Sequence, residues 1–207
     1  IIIFLDCDIE VESNFISKHV NLHKQKMVIG ILSNICKPKI KLKDKYQKYI
    51  FYGKRGAKMA RNEASLPFKY FVIGCTSVKM SAIKISGKFN EKLPAYGEDL
   101  DFAYRLWKNF PDGLYYSKEI NVYMYNVKLI EEALSELHQY GEYNIPIILK
   151  HYPELSPYVA SNFIKSMNGK LSWKVVFGKI FINRFFFQQV KWLLCITPFP
   201  LSNYLIR

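Results

Sequence analysis

Acidic residues are in short supply: 17 Asp and Glu stand against 30 Lys and Arg in 207 residues, a formal charge of +13. Such an imbalance favours polyanionic partners, whether nucleic acid, anionic lipid or phosphorylated small molecules. Paired cysteines are lacking too. Cys7, Cys36, Cys75 and Cys195 are far apart with no Cys-x-x-Cys, which argues against a disulfide framework or a zinc site and for a reducing compartment. No zinc-finger spacing and no aromatic RNA-recognition signature occurs, so nucleic acid has no motif behind it and is not expected as a partner. No apolar run approaches the ~20 residues that a membrane-spanning helix needs. Repeats and low-complexity linkers are absent. The apolar opening "IIIFL" has neither a basic n-region nor a cleavage site, so it does not read as a signal peptide. A strand this apolar that starts without methionine is expected to be internal, exposed by truncation.

What is present suits a folded core. Half the residues are hydrophobic, enough to bury one sizeable core and too many for disorder. Residues 1–5 read as a buried strand. Ser13 is the expected N-cap of a helix whose Phe15, Ile16, His19, Val20 and Leu22 share a face. "MVIGIL" (27–32) reads as the next strand, giving the strand–helix–strand rhythm of an α/β sheet. Residues 37–61 are basic with one acid, Asp44. They read either as a solvated excursion around a short helix or as a surface facing phosphate or membrane.

"FKYFVI" (68–73) reads as a strand closed by Gly74, followed by a helix over 81–85. A helix starting at Glu98 presents Leu100, Phe102, Ala103, Leu106 and Trp107 to the core, with Asp101 and Arg105 pairing on its exposed face. A strand over 120–125, a helix over 129–140 and a further helix within "NIPIILKHYPELSP" complete the body. The tail, 173–206, is apolar and aromatic but interrupted by Lys179, Arg184, Gln188, Gln189 and Lys191. It reads as two amphipathic helices, either interfacial at a membrane or packed on the core. The expected organisation is a body over 1–153 and a helical tail over 154–207.

Three acidic positions carry the chemistry. Asp6 and Asp8, two apart at a strand's end, point the same way if the chain stays extended, so both carboxylates can meet one cation. Hard oxygen ligands select Mg²⁺ or Mn²⁺, and in α/β sheets ligands bind at the carboxyl ends of strands. The alternative is an ordinary polar strand terminus. In Gly97-Glu98-Asp99-Leu100-Asp101, carboxylates in a helix's first turn either complement the helix dipole or supply Asp99 as a general base with a raised pKa. Cys7, between the aspartates, reads as packing on the opposite face. His19, His23, His138 and His151 read as helix-surface residues.

In combination, "FLDCD", "GKFNEKLPAYGEDLDFAYRLW" and "YNIPIILKHYPEL" resemble the family 2 glycosyltransferases of A-type nucleotide-sugar fold, and within them bacterial members that decorate cell-surface glycans. The resemblance covers roughly residues 1–153. It implies a Rossmann-like mixed sheet flanked by helices, here lacking its first strands. It further implies that Asp6 contacts the ribose or diphosphate side of a UDP- or GDP-sugar and that Asp8 binds the Mn²⁺ or Mg²⁺ bridging its phosphates. Gly74 would approach the donor sugar, Asp99 would deprotonate the acceptor hydroxyl, and Glu98 would orient that acceptor. The implied activity is inverting transfer of a single sugar to a glycan or lipid-linked acceptor. The implied location is cytoplasmic, peripheral at the inner membrane face against an anionic lipid surface. Relatives often carry a metal-ligating His where Met124 and Asn126 stand here, and the Gln-x-x-Arg-Trp motif of processive synthases is missing.

Two other classes stay open. A haloacid-dehalogenase-like phosphohydrolase also starts with an apolar strand ending in Asp-x-Asp, although Glu10 departs from its pattern and its lysine has no clear place. A non-catalytic basic module binding membrane or nucleic acid would account for the charge alone.

Overall fold

Five short strands pair into one mixed sheet in this computed structural model, which describes residues 1–37, 41–53, 55–60, 65–93, 96–159, 188–189 and 192–193. The strands are β1 (Ile2–Leu5), β2 (Ile9–Val11), β3 (Gly30–Cys36), β4 (Cys75–Val78) and β5 (Leu114–Met124), ordered β1-β4-β3-β5-β2 across the sheet. Only β3 and β5 pair in parallel; β1·β4, β3·β4 and β2·β5 are antiparallel. The helices are α1 (Phe15–Gln25), α2 (Lys45–Tyr52), α3 (Met80–Ser86), α4 (Glu98–Asn109), α5 (Ile130–Gln139) and α6 (Ile145–His151), the last two joined by a π-helical turn, Tyr140–Asn144. The chain is therefore α/β, a mixed sheet flanked by helices. Because β1 and β3 are both antiparallel to the β4 strand between them, they run the same way, and α1 connects them. None of the described helices is long and apolar enough to cross a membrane.

Side-chain alternation along each strand assigns the two faces. Ile3, Ile31 and Ser77 are cross-strand partners on one face, which α1 covers with Phe15, His19 and His23. Phe4 lies on the other, its ring edge-on to Phe89 and Phe102 at 5.6 and 6.2 Å, so α4 covers that side. Phe102, Ala103 and Leu106 of α4 are buried as their spacing predicts. Each large apolar side chain so buried contributes roughly 1.5–3 kcal/mol.

Several local expectations change. Residues 68–73 are apolar without being a strand: Phe68–Tyr70 is a 3₁₀ turn after Pro67, and Phe68 is buried against Tyr104, Trp107 and Tyr158, with ring centroids 5.0–5.3 Å away. The strand lies further on, at the more polar Cys75–Val78. The strand expected over 27–32 begins at Gly30, leaving Met27 exposed. Asn14, not Ser13, occupies the N-cap position of α1. Asp101 and Arg105 do pair, at 2.7 Å, but on a buried face with Asp101 only 2% exposed. The guanidinium also donates to the carbonyls of Ser86 and Lys88 at 2.5 and 2.7 Å, clamping α4 to the end of α3.

The expected surface roles of His19 and His23 are also wrong. His19 Nδ1 lies 2.7 Å from Ser77 Oγ and its Nε2 3.0 Å from Ser33 Oγ. His23 Nε2 lies 2.9 Å from the same Ser77 Oγ, and its Nδ1 3.3 Å from the Val28 carbonyl. With both imidazoles neutral, the Val28 carbonyl, which only accepts, fixes every proton in the chain. His23 Nδ1 donates to Val28, Ser77 donates to His23, His19 Nδ1 donates to Ser77, and Ser33 donates to His19. Burial, with His23 beside it, pushes the His19 pKa down to about 4, and burial lowers that of His23 as well.

Leu155 is fully buried and the Tyr104 hydroxyl donates to Glu154 at 2.6 Å, so the chain still packs on α4 beyond residue 153. The two tail helices expected within 173–206 lie outside the described residues, apart from the exposed helical pairs 188–189 and 192–193.

Candidate functional site

Asp6 extends the β1·β4 ladder by one step, its N–H donating to the Gly74 carbonyl at 2.8 Å. The chain then turns: the Ile9 N–H returns to the Asp6 carbonyl at 3.2 Å. Asp6 and Asp8 are thus related by a turn, not by the extended geometry expected from their spacing. The turn leads into the β2·β5 pair, where the Tyr125 N–H donates to the Asp8 carbonyl at 2.9 Å. Both aspartates nevertheless line the same cleft, of about 720 Å³. Cys7 between them is exposed; the turn takes it to solvent instead of into packing.

Gly74 lines neither this cleft nor the cavity beside it. Its place in the site is against Asp6. With φ at +131° it adopts a backbone conformation closed to most side chains, and any Cβ there would run into the Asp6 carboxylate. Asp6 is exposed as a residue, but partial burial raises its pKa, the neighbouring charges of Asp8 and Glu98 raise it further, and Lys128 opposes them.

Asp99 stands in the first turn of α4, where Gly97 at φ +103° occupies the N-cap. Its Oδ2 accepts a hydrogen bond from the Ile73 N–H at 3.1 Å. Burial pushes its pKa up to about 6, with Glu98 and Asp6 adding repulsion and the Ile73 bond pulling the other way. Asp99 faces a second cavity of about 750 Å³, walled largely by aromatics, among them Tyr46, Tyr49, Phe68, Tyr96, Tyr140 and Tyr158. Glu98 lines neither cavity; it acts on Asp6 and Asp99 only through its charge.

The two cavities adjoin. Tyr46, Arg55, Lys69, Val72, Lys128 and Glu136 border both. The basic segment 37–61 supplies part of this border, since α2 and the turn after it bring Tyr46, Arg55 and Lys58 to the aspartate cleft. α2 is anchored there by Asp44, which caps it by accepting from the Gln47 N–H at 2.7 Å. Arg55 and Lys69 have no carboxylate partner among the described residues. They rest on Tyr49 and on Tyr70 at 5.7 and 5.0 Å from the ring centroids.

Known proteins supply no counterpart. No family model, curated protein or solved structure matches the chain.

Two features bear on a cation. Asp6 and Asp8 are hard oxygen donors in one cleft, and the repulsion that raises the pKa of Asp6 is of the kind a divalent ion relieves. Among the described residues, however, no group of three or more His, Cys, Asp or Glu converges. Met124 and Asn126 line the cleft where the family resemblance would place a histidine. The donor set therefore fits an ion of the Mg²⁺ type that keeps waters and shares ligand phosphates, and does not fit an all-protein cage. Cys75, buried beside Asp6, has its thiol pushed up to about 12 and is not a nucleophile.

Spacing in the sequence singled out Asp6, Asp8 and Asp99, and the fold brings them to adjoining cavities. It did not single out Lys128 or Glu136, which stand on the border of both. Lys128 closes the segment after β5 and Glu136 lies on α5, and no local pattern ties them to the aspartates.

Proposed function

We propose that this chain carries the donor and acceptor sites of a metal-dependent, inverting glycosyltransferase of A-type architecture, transferring one sugar from a nucleotide sugar to a glycan or lipid-linked acceptor. The observation that carries this reading is the pair of adjoining cavities. One presents two carboxylates among basic side chains, as a metal-diphosphate needs, and the other presents a carboxylate with a pKa near 6 against an aromatic wall. Aromatic faces suit sugar rings or an apolar lipid carrier.

In this reading the diphosphate of the donor would lie in the aspartate cleft, and Asp8 and Asp6 would be the residues that hold Mn²⁺ or Mg²⁺. Bound there, such an ion would supply Lewis-acid stabilisation of charge on the departing nucleoside diphosphate. Asp99 takes the proton of the acceptor hydroxyl as its oxygen bonds to the anomeric carbon. The bond from that carbon to the diphosphate oxygen breaks, and the nucleoside diphosphate leaves with the electron pair. A general base works best with a pKa near the operating pH, and burial moves Asp99 toward that range. Attack from the face opposite the leaving group inverts the anomeric centre, and no covalent sugar-enzyme intermediate forms.

Placement at an anionic membrane surface belongs to the same proposal. It is supported by the +13 formal charge and by the attraction of basic segments to acidic lipid.

The test is a panel of UDP- and GDP-sugars with Mn²⁺, read as transfer or hydrolysis. Asp8→Asn and Asp99→Asn should each abolish turnover. Asp8→Asn should also weaken Mn²⁺-dependent donor binding, which Asp99→Asn should largely spare. Wild-type turnover in either variant would sink the mechanism, and a trapped phosphoenzyme on Asp6 would replace it with phosphohydrolase chemistry.

A further inference from the structure

The border between the cavities holds an ion pair that the proposed mechanism does not use. Lys128 Nζ lies 2.5 and 2.7 Å from the two carboxylate oxygens of Glu136. The Tyr96 hydroxyl donates to Glu136 Oε1 at 3.0 Å, and the Tyr96 ring centroid is 5.5 Å from Nζ of Lys128. All three residues line the Asp99 cavity, and Lys128 and Glu136 also line the aspartate cleft.

We propose that Lys128 is a diphosphate ligand of the aspartate cleft and that Glu136, held by Tyr96, is its built-in counter-ion, displaced when the ligand's phosphate takes the ammonium. This rests on the reading of that cleft as a diphosphate site.

Three observations carry it. First, the pair is half in solvent, with side-chain exposures of 45% for Lys128 and 25% for Glu136, and exposed ion pairs are held weakly. A diphosphate with several charged oxygens competes well against one carboxylate for the same ammonium. Second, Lys128 lines the same cleft as Asp6 and Asp8. It therefore stands within electrostatic reach of any anion bound there. Third, the counter-ion is positioned and not incidental. Tyr96 has φ +44°, a left-handed conformation uncommon for a residue with a side chain. Its carbonyl is held by the side-chain amide of Asn144, which is fully buried. A backbone constrained in this way aims the hydroxyl at Glu136. Displacing Glu136 also frees that hydroxyl in the wall of the Asp99 cavity, so anion binding in one cavity changes the lining of the other.

The experiment is calorimetric titration of the full chain with inorganic pyrophosphate in EDTA, repeated with Mn²⁺. Lys128→Ala should weaken binding about tenfold or more, as expected when a charged hydrogen bond is lost. Glu136→Gln should tighten binding roughly threefold to tenfold by removing the competitor. Tyr96→Phe should tighten it less. In a Lys128→Ala background, Glu136→Gln should have no further effect. Lys108, paired with Glu154 at 3.3 Å on α4 and lining neither cavity, serves as the control. Three results overturn the proposal: no measurable binding to wild type, equal losses in Lys108→Ala and Lys128→Ala, or a Glu136→Gln effect that survives without Lys128. Pyrophosphate requires no sugar transfer, so the two readings fail separately. An intact cycle with no transfer from any sugar nucleotide retires the glycosyltransferase alone. Transfer with a flat cycle retires only the role of Lys128.

Discussion

Two clusters of titratable groups in this molecule are shifted by the same force and put to opposite uses. Behind the sheet, His19 and His23 are buried with every ring nitrogen matched to a partner on β3, β4 or the loop after α1. At the sheet's open end, Asp6 and Asp99 have raised proton affinities, first from burial and then from the charges of Asp8 and Glu98 on Asp6 and of Glu98 and Asp6 on Asp99. Burial is the largest cause of the shifts in both. What differs is closure. The histidine network leaves nothing over for a ligand, whereas the carboxylates are left in mutual repulsion beside open cavities. Perturbed titration alone therefore does not mark a functional site; perturbation with unmet charge and room to meet it does.

The comparison can be broken from the satisfied side, where the largest stability effect is expected. Ser77→Ala removes the hydroxyl shared by both imidazoles and should cost about 3 kcal/mol in urea unfolding, since buried polar groups lose their partners. A loss within ~0.5 kcal/mol would show the network to be wetter than its geometry. The pH dependence comes next. His19 is charged less readily folded than unfolded, so its stabilising contribution is present above pH ~6.5 and is lost as pH falls toward 4. Up to about 3 kcal/mol should disappear across that window, and His19→Gln should flatten the profile.

From the unsatisfied side the sign reverses. The folded pKa of Asp99 is raised to about 6, so ionising it costs folding stability as pH rises from ~4 through 6. Asp99→Asn should therefore gain on the order of 1 kcal/mol at pH 7–8, with the advantage gone below pH ~4. Transfer should be lost in the same variant, which makes thermal melts and activity move in opposite directions. The smallest effect is expected at Asp6, which is solvent-exposed. Asp6→Asn should change stability by no more than ~0.5 kcal/mol, and a larger loss would make Asp6 part of the framework.

How much of this could be read in the sequence follows the same divide. α3, α4 and α5 and the aspartates at strand and helix ends were legible because their signals are local: apolar spacing, glycine before the helix, acids in the first turn. Phe68 and Phe71 were misread as strand residues because a short apolar run records burial without recording conformation. Cys75–Val78 went unrecognised because Thr76 and Ser77 face inward. Ser77 is buried for the sake of histidines 58 and 54 residues away in sequence. The pairing of Lys128 with Glu136 was invisible for a related reason, since only the fold sets them between two cavities.

Along β3 and β5, Leu32 faces Tyr116 but Asn34 faces Asn121, so residues 117–120 of β5 stand opposite Ser33 alone. Past this surplus, β5 pairs with β2 and meets the Asp8 carbonyl through Tyr125. The placement of Asp8 is thus a matter of counting. Deleting one residue from 117–120 would slide the distal half of β5 by one step, turn Val122 outward and hand Asp8 a different neighbour. That stretch should tolerate changes of identity at its exposed positions 118 and 119 while resisting any change of length.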